Sequence, residues 1–343
     1  MPDPASLIPS QTLEWLLDES EPGPRYLALR DLYGLPPNDS QVKHARRAAH
    51  QHGPISEILN HMHPEGYWAE PGPGYNPKYR STVWALISLA QLGASVQEEP
   101  RLERACDYIV SQSMTEIGQF AASGTASTTV DCLQGNLCAA LVDLGWKDPS
   151  LEKAYDWLVR SITGEGVAPN TEREALPRYY AGNCGPAFQC GANNKLQCAW
   201  GAIKEMLALG KCPDSYRDAH TEQAIEASVD FLLGVDPATA EWPTGYTDKP
   251  SGNWWKFGFP IFYISDLLQL VEALILVGKG DDPRLSGVYA LIKDKQTPEG
   301  SWLLEYGYHG KMWVDYGDKK QANKWVTIRA GKALLASPEK YRL

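Results

Sequence analysis

Two kinds of apolar stretch alternate along the chain, and both have the spacing of α-helices. One kind is almost wholly apolar, whereas the other is amphipathic, with apolar residues such as Leu151, Tyr155 and Leu158 on one face. The apolar stretches lie near 25–34, 79–93, 129–145, 193–210, 259–278 and 322–337. The amphipathic stretches lie near 11–19, 40–62, 98–113, 149–162, 218–234 and 283–296. This alternation predicts six helix pairs, and no strand-like pattern of useful length competes with it.

Glycine and proline mark where these helices end and begin. The apolar helices end at a repeated step, namely Leu92-Gly93, Leu144-Gly145, Leu209-Gly210 and Val277-Gly278. A Gly just past the last helical residue can adopt a positive φ without strain. The amphipathic helices near 99, 148 and 282 open with an acidic residue beside Pro, which suits the helix dipole and the first turn. Two turns read Pro-Glu-Gly-X-Trp, at 64–68 and 298–302, and they indicate an internal duplication.

The six helix pairs are predicted to close into a ring. In this interpretation the apolar helices form an inner ring, and the amphipathic helices wrap around it. An open superhelix of the same pairs is the alternative, but each chain end carries half a pair, which favours closure. We therefore predict an all-α fold, an (α/α)6 toroid, as a single domain over residues 1–343.

The motifs at these helix starts resemble those of a known superfamily. The Gly-X-Trp turns, with Trp-Ala-Leu at 84–86 and Gly-Asn-Leu at 135–137, look like the repeat of the squalene cyclases and the protein prenyltransferases. The resemblance covers nearly the whole chain and implies a toroid with a cavity for a hydrophobic substrate. The Asp-X-Asp-Asp acid motif of the squalene-type cyclases is absent. The segment 194–198 resembles the cysteine segment of the prenyltransferase zinc site, but the Asp of that site is missing.

Four of the seven cysteines are predicted to meet at one rim of the ring. Cys132, Cys198 and Asp266 lie twelve or thirteen residues before the helix-ending Gly, so they should face the same end of the barrel. Cys184 and Cys190 precede Cys198 in a Gly- and Pro-rich loop that leads to this rim. Four converging thiols predict a tetrahedral zinc site. An iron–sulfur cluster uses the same ligands, and buried structural thiols or a redox-active or nucleophilic thiol are the alternatives.

Two carboxyl groups near this rim are candidates for proton transfer. Asp266 interrupts an otherwise apolar helix, and a carboxylate facing an apolar cavity would have a raised pKa. A salt bridge to Lys256 or Arg329 is the alternative for Asp266. Asp131 adjoins Cys132 and is a candidate general base or partner of a metal ligand, with a helix N-cap as the alternative.

Aromatic side chains on the same side predict the lining of a cavity for a hydrophobic or aromatic small molecule. Arg329 is a candidate for binding an anionic group of that ligand. The aromatic candidates are Trp84, Tyr179, Tyr180, Trp200, Trp254, Trp255, Tyr263, Tyr306, Tyr308 and Trp325.

Composition narrows the classes of function. A net charge of −10 argues against nucleic acid as a partner. The longest apolar stretch, 257–277, is interrupted by polar residues and does not predict a membrane span. The first residues lack the pattern of a signal peptide, which with the odd cysteine count predicts a cytoplasmic protein.

The leading hypothesis is a terpene cyclase- or prenyltransferase-like enzyme with a hydrophobic central cavity and zinc at its rim. Cyclisation, isomerisation and group transfer all fit such a cavity. The alternatives are a non-catalytic ligand-binding or scaffold protein with a structural metal, and a carbohydrate-active toroid enzyme. The sequence leaves the oligomeric state open.

Overall fold

The computed structural model describes residues 3–168, 172, 174 and 184–338, and its secondary structure is mostly α-helical. The helices and strands are α1 (Ser10–Leu16), α2 (Pro22–Asp31), α3 (Ser40–Gln51), α4 (Pro54–Asn60), α5 (Thr82–Gln91), α6 (Arg101–Ser113), α7 (Asp131–Asp143), α8 (Ser150–Thr163), β1 (Cys184–Gly185), β2 (Gln189–Cys190), α9 (Ala199–Gly210), α10 (Ala219–Leu232), α11 (Leu267–Leu276), α12 (Ser286–Asp294) and α13 (Lys324–Leu335). The prediction of an all-α fold is confirmed, apart from the two-residue strand pair.

The helices are shorter than the stretches that predicted them. The apolar stretch 259–278 becomes helical only at Leu267, where the Asp266 carboxylate accepts a hydrogen bond from the backbone N–H of Gln269. The amphipathic stretch 40–62 is two helices, because Gly53 has a φ of 82° and Pro54 begins α4. None of the helices that the structure describes combines the length and apolar character needed to cross a membrane.

Within the described part of the chain, six mostly buried helices pack as successive neighbours. Helix α5 packs on α7, α7 on α9, α9 on α11, α11 on α13, and α13 on α2. Gly93, just after α5, lies against Tyr26 and Leu27 of α2. The amphipathic helices pack against these six, with α3 on α2, α6 on α5, α8 on α7, α10 on α9, and α12 on both α11 and α13. The apolar and amphipathic helices therefore occupy different layers.

Tryptophan indoles hold the turns that follow the amphipathic helices. The Nε1–H of Trp68 donates to the carbonyl oxygen of Ile58 at 2.7 Å, and that of Trp302 donates to Ile292 at 2.7 Å. Both acceptors lie in the last turn of a helix, where carbonyls lack an intrahelical donor. Trp242 repeats the contact after α10, although its turn lacks the Pro-Glu-Gly sequence. The duplicated Pro-Glu-Gly-X-Trp segment therefore has a structural role, which is to bind the end of the preceding helix through its Trp.

A close helix crossing joins α7 to α9. A Cβ added at Gly135 would lie 2.3 Å from the carbonyl carbon of Lys204, and one added at Gly201 would lie 3.1 Å from the Cβ of Asp131. One glycine on each helix thus lets the two backbones approach closely. This approach brings the first turn of α7 against the first turn of α9.

Replacing Gly135 by Ala is expected to lower the free energy of unfolding by about 1–3 kcal/mol, since the new methyl group meets backbone atoms of α9. Urea denaturation followed by tryptophan fluorescence measures the change. Gly252→Ala is the matched control, because nothing lies within 4 Å of the Cβ position at Gly252. Equal stability of the two variants would contradict the close crossing.

Candidate functional site

A cavity of about 800 Å³ lies at the N-terminal ends of α7 and α9. Much of its wall is aromatic, with Trp200, Trp242, Trp254, Tyr246 and Tyr263 among the lining residues. Apart from these helix starts, the segment 242–251 forms much of the wall. The indole Nε1–H of Trp200 is buried and has no hydrogen-bond partner among the described residues. The cavity thus offers aromatic faces to a ligand, and the unpartnered indole N–H of Trp200 belongs to its wall.

The four cysteines selected from the sequence come together beside this cavity. Cys132, Cys190 and Cys198 line it. Cys184 is the cross-strand partner of Cys190 in the pairing of β1 with β2. Two helix starts and one loop therefore meet at the same place, since the α7–α9 crossing holds the helix starts together.

The thiols interact in pairs. The Cys198 thiol donates a hydrogen bond to the Cys190 sulfur, and with the backbone N–H groups of Ala192 and Asn193 this lowers the pKa of Cys190 to about 6. The Cys184 thiol is instead hydrogen-bonded to the carboxyl group of Asp131, and burial raises its pKa. Burial also raises the pKa of Cys132, to about 12.

This arrangement does not fit a metal centre. In residues 3–168, 172, 174 and 184–338, no group of three or more His, Cys, Asp or Glu side chains is placed to hold a metal ion. Zinc held by four cysteines needs all four sulfurs around one point. The zinc-site prediction is therefore not supported, and neither is its iron–sulfur alternative.

Asp131 supplies the carboxyl group of the cavity wall. Its side chain is only 5% exposed, and its Oδ2 has no hydrogen-bond partner among the residues that the structure describes. Burial raises the pKa of Asp131 well above its ordinary value, the negative Cys190 adds to the shift, and the Cys184 hydrogen bond opposes it. The neutral carboxylic acid is thereby favoured more than in an exposed aspartate, and it can donate a proton.

The N-cap alternative for Asp131 is wrong. Asp131 is the first residue of α7, the N-cap is Val130, and no side chain caps this helix. The carboxyl group is therefore not used to begin the helix, which leaves it available to the cavity.

Glu205 is a second buried carboxyl group that the sequence interpretation missed. Its Oε1 accepts a hydrogen bond from Ser161 at 3.3 Å, and its Oε2 has no partner within the described residues. Burial and the neighbouring Asp131 carboxyl group raise the pKa of Glu205 well above its usual range. The preceding Lys204 is fully buried and donates to Gln269, and burial lowers its pKa to about 7. The sequence feature that could have revealed both residues is the charged Lys-Glu pair inside an otherwise apolar helix.

Asp266 lies away from the aromatic cavity and has four hydrogen-bond donors. The backbone N–H groups of Gly258 and Gln269 donate to it at 3.1 and 2.8 Å. The Arg329 guanidinium donates to both of its oxygens at 3.0 Å each. Arg329 also binds Glu272 at 2.9 and 3.0 Å. Asp266 therefore makes the salt bridge that was its alternative, and its partner is Arg329. Arg329, the candidate for binding an anionic ligand, is already bound to two carboxylates.

The remaining aromatic candidates fall in different places. Trp200, Trp254 and Tyr263 line the cavity. Trp84, Tyr306 and Tyr308 belong to an aromatic cluster that continues from Tyr263, as ring contacts with Tyr79, Phe262 and one another show. Trp255 donates its Nε1–H to the Ala238 carbonyl at 3.0 Å. Tyr179 and Tyr180 lie outside the described residues.

A second cavity of about 400 Å³ is lined by residues of α2, α5, α7, α9, α11 and α13 together. Trp325 lies there, stacked on Phe259 with ring centroids 4.9 Å apart. Its charged side chains are paired with one another: Arg30 with Asp31, Lys211 with Asp143, and Arg329 with Glu272. This cavity therefore offers few free polar groups to a ligand.

Comparison with known proteins gives only distant structural similarity. No family model and no curated protein matches the chain. The ligand-free type II terpene cyclase MstE from Scytonema is 12% identical, with 84% of this chain and 96% of that chain covered and a TM-score of 0.32. The same cyclase as a variant in complex with geranylgeranyl dihydroxybenzoate, its substrate, is 12% identical over 87% of this chain and 96% of that chain, with a TM-score of 0.33. A protein from Actinoplanes is 12% identical over 86% of this chain and 99% of that chain, with a TM-score of 0.31. At these TM-scores the similarity carries no argument about function.

Proposed function

We propose that this chain is an enzyme that binds a hydrophobic, unsaturated small molecule in the 800 Å³ cavity and starts its cyclisation or isomerisation by protonation. Asp131 is the proton donor in this proposal. The observation that carries it is a buried carboxyl group with an unpartnered oxygen in the wall of an aromatic cavity. An apolar cavity of this volume suits a ligand of the size that protein pockets usually hold.

The proposed reaction needs only a proton and a protected cation. The O–H bond of neutral Asp131 breaks as a C–H bond forms at one alkene carbon, which leaves a carbocation at the other. The faces of Trp200, Trp254 and Tyr263 would stabilise that cation through cation–π contacts. The Cys184 thiol would donate to the carboxylate that remains. For an isomerisation, the cation then returns a proton from a neighbouring carbon to the Asp131 carboxylate. For a cyclisation, a second alkene of the substrate first attacks the cation, so that a C–C bond forms and the charge moves to a new carbon, and loss of a proton to the same carboxylate completes the reaction.

The closed toroid of six helix pairs is part of the same proposal. It is supported by the chain of contacts from α5 to α13, by the contact of α13 with α2, and by a cavity that all six inner helices line. Such a ring would hold the aromatic cavity at one end, beside the starts of α7 and α9.

Proton transfer to carbon can be tested directly with deuterium. The purified protein is incubated in D₂O with linear polyprenyl alcohols and acids, whose trisubstituted alkenes accept protons readily. Mass spectrometry and NMR are expected to reveal an isomerised or cyclised product that carries deuterium on carbon. Heat-denatured protein is the background control.

A ligand that quenches tryptophan fluorescence without forming any deuterated product would overturn the enzymatic proposal. The aromatic cavity would then belong to a non-catalytic binding protein, which is the alternative function that the same wall supports.

A further inference from the structure

Two thiols in the cavity wall have no part in the proposed proton transfer. Cys190 ends β2 and Cys198 directly precedes α9. The segment between them folds back on itself, because the Cys190 N–H donates to the Leu196 carbonyl at 3.1 Å and the Cys198 N–H donates to the Phe188 carbonyl at 2.9 Å. This backbone pairing brings the two sulfurs into hydrogen-bond contact.

The surroundings of Cys190 favour its thiolate. The Cys198 thiol and the backbone N–H groups of Ala192 and Asn193 all donate to its sulfur. Three donors around one sulfur stabilise a negative charge there. Both cysteines line the 800 Å³ cavity, so a reagent that enters it can reach them. In the described part of the chain all seven cysteines are free. Cys106 is fully buried without such donors among the described residues, and Cys138, also fully buried, accepts from the Gln134 amide at 3.7 Å but has a pKa that burial raises.

We propose that Cys190 is an oxidation site that reduces hydroperoxides and then forms a disulfide with Cys198. The aromatic wall favours hydroperoxides of apolar compounds over hydrogen peroxide. This activity uses different groups from proton transfer by Asp131, since neither thiol touches a reacting carbon in that proposal.

The oxidation of Cys190 would take place in two steps. The Cys190 thiolate attacks the outer peroxide oxygen, so that an S–O bond forms, the O–O bond breaks and the departing alkoxide takes a proton to become an alcohol. The Cys198 sulfur then attacks the Cys190 sulfenic acid, the S–S bond forms, and the hydroxyl group leaves as water with the Cys198 proton. The thiol pair loses two electrons to the peroxide, and a dithiol reductant restores it.

Cys184 is the competing partner for the oxidised Cys190. It lies opposite Cys190 in the β1–β2 pair. Its thiol, however, is engaged by the Asp131 carboxyl group, whereas the Cys198 thiol already contacts the Cys190 sulfur. The geometry therefore favours Cys198.

Tryptic mapping separates these outcomes. Lys195 lies between the two cysteines, so trypsin releases Cys198 in the peptide 196–204, apart from the peptide that contains both Cys184 and Cys190. After treatment with cumene hydroperoxide and alkylation of free thiols, we expect these two peptides to be joined by a bond that dithiothreitol breaks. The join should persist in Cys184→Ser and disappear in Cys190→Ser.

Chemical trapping of the sulfenic acid, together with the rate of that labelling, completes the test. In Cys198→Ser, dimedone is expected to label Cys190 as a sulfenic acid, at a rate at least about tenfold above that of any other cysteine. Cys106→Ser is the matched control and should behave as the unmodified chain. A disulfide between Cys184 and Cys190, no joined peptide in the unmodified chain, or labelling of Cys190 no faster than that of Cys106 would each overturn the proposal. Circular dichroism of each variant establishes that it is folded.

Discussion

Replacing Asp131 by Asn is expected to lower the rate of formation of deuterated product by about 10²- to 10⁴-fold, the usual contribution of a positioned general acid. The amide has nearly the shape of the carboxylic acid but no acidic proton. Because the carboxyl group is buried and favoured in its neutral form, the exchange adds no charge and should leave the cavity intact. The initial rate measures the loss, and quenching of tryptophan fluorescence by the substrate measures binding, which should change by less than about threefold.

Asp248→Asn is the matched control for this change. Asp248 lines the same cavity but is exposed, so its replacement should leave the rate within about twofold. Equal rates for Asp131→Asn and Asp248→Asn would remove Asp131 from the reaction. A variant that fails to bind the substrate would instead assign Asp131 to the shape of the cavity.

The pH dependence of the rate has a definite sign in this proposal. Only the protonated carboxyl group donates, and the pKa of Asp131 is raised by burial. The rate of the unmodified chain should therefore be constant at low pH and fall as the pH rises through that raised pKa. The residual rate of Asp131→Asn should lack this fall.

The order of the helices could be predicted from the sequence, whereas their starting points could not. Apolar spacing reports which face of a helix is buried, and glycines report where it ends. The start of α11 depends on a side chain that reaches the backbone of Gln269, and spacing alone does not reveal that contact. The N-cap that was the alternative for Asp131 is found instead at Asp266. Asp266 precedes its helix and caps it, whereas Asp131 lies inside α7 and does not.

For the cysteines, too, the sequence could predict which residues lie close together but not how their sulfurs are arranged. Alignment on the helix-ending glycines places Cys132 and Cys198 at the same rim, and the structure puts both beside one cavity. Spacing cannot show whether sulfurs surround a point or contact one another in pairs. The pairing of Cys190 with Cys198 arises from a loop that folds back at positive φ angles of Asn194 and Lys195. Glu205 was overlooked, although a charged residue inside an apolar helix is the same kind of signal that selected Asp266.

Replacing Arg329 by Met is expected to lower the free energy of unfolding by about 3–5 kcal/mol, the cost of leaving a buried charge without its partner. The guanidinium binds both oxygens of Asp266 and both oxygens of Glu272, and it also donates to the Gly258 carbonyl at 2.7 Å. Asp266 is only 2% exposed, so water cannot replace the lost donors. Urea denaturation followed by circular dichroism measures the loss.

A matched ion pair on the surface distinguishes the effect of burial on stability from the effect of the ion pair itself. Arg284 also binds both oxygens of one carboxylate, that of Asp282, at 2.9 and 2.7 Å, but its side chain is 48% exposed. Arg284→Met should therefore cost no more than about 1 kcal/mol. Adding Asp266→Asn to Arg329→Met should restore part of the lost stability, because the amide keeps an oxygen for the Gln269 N–H and removes the unpaired charge. If Arg329→Met lowers the free energy of unfolding no more than Arg284→Met does, burial does not determine how much the Arg329 ion pair contributes to stability.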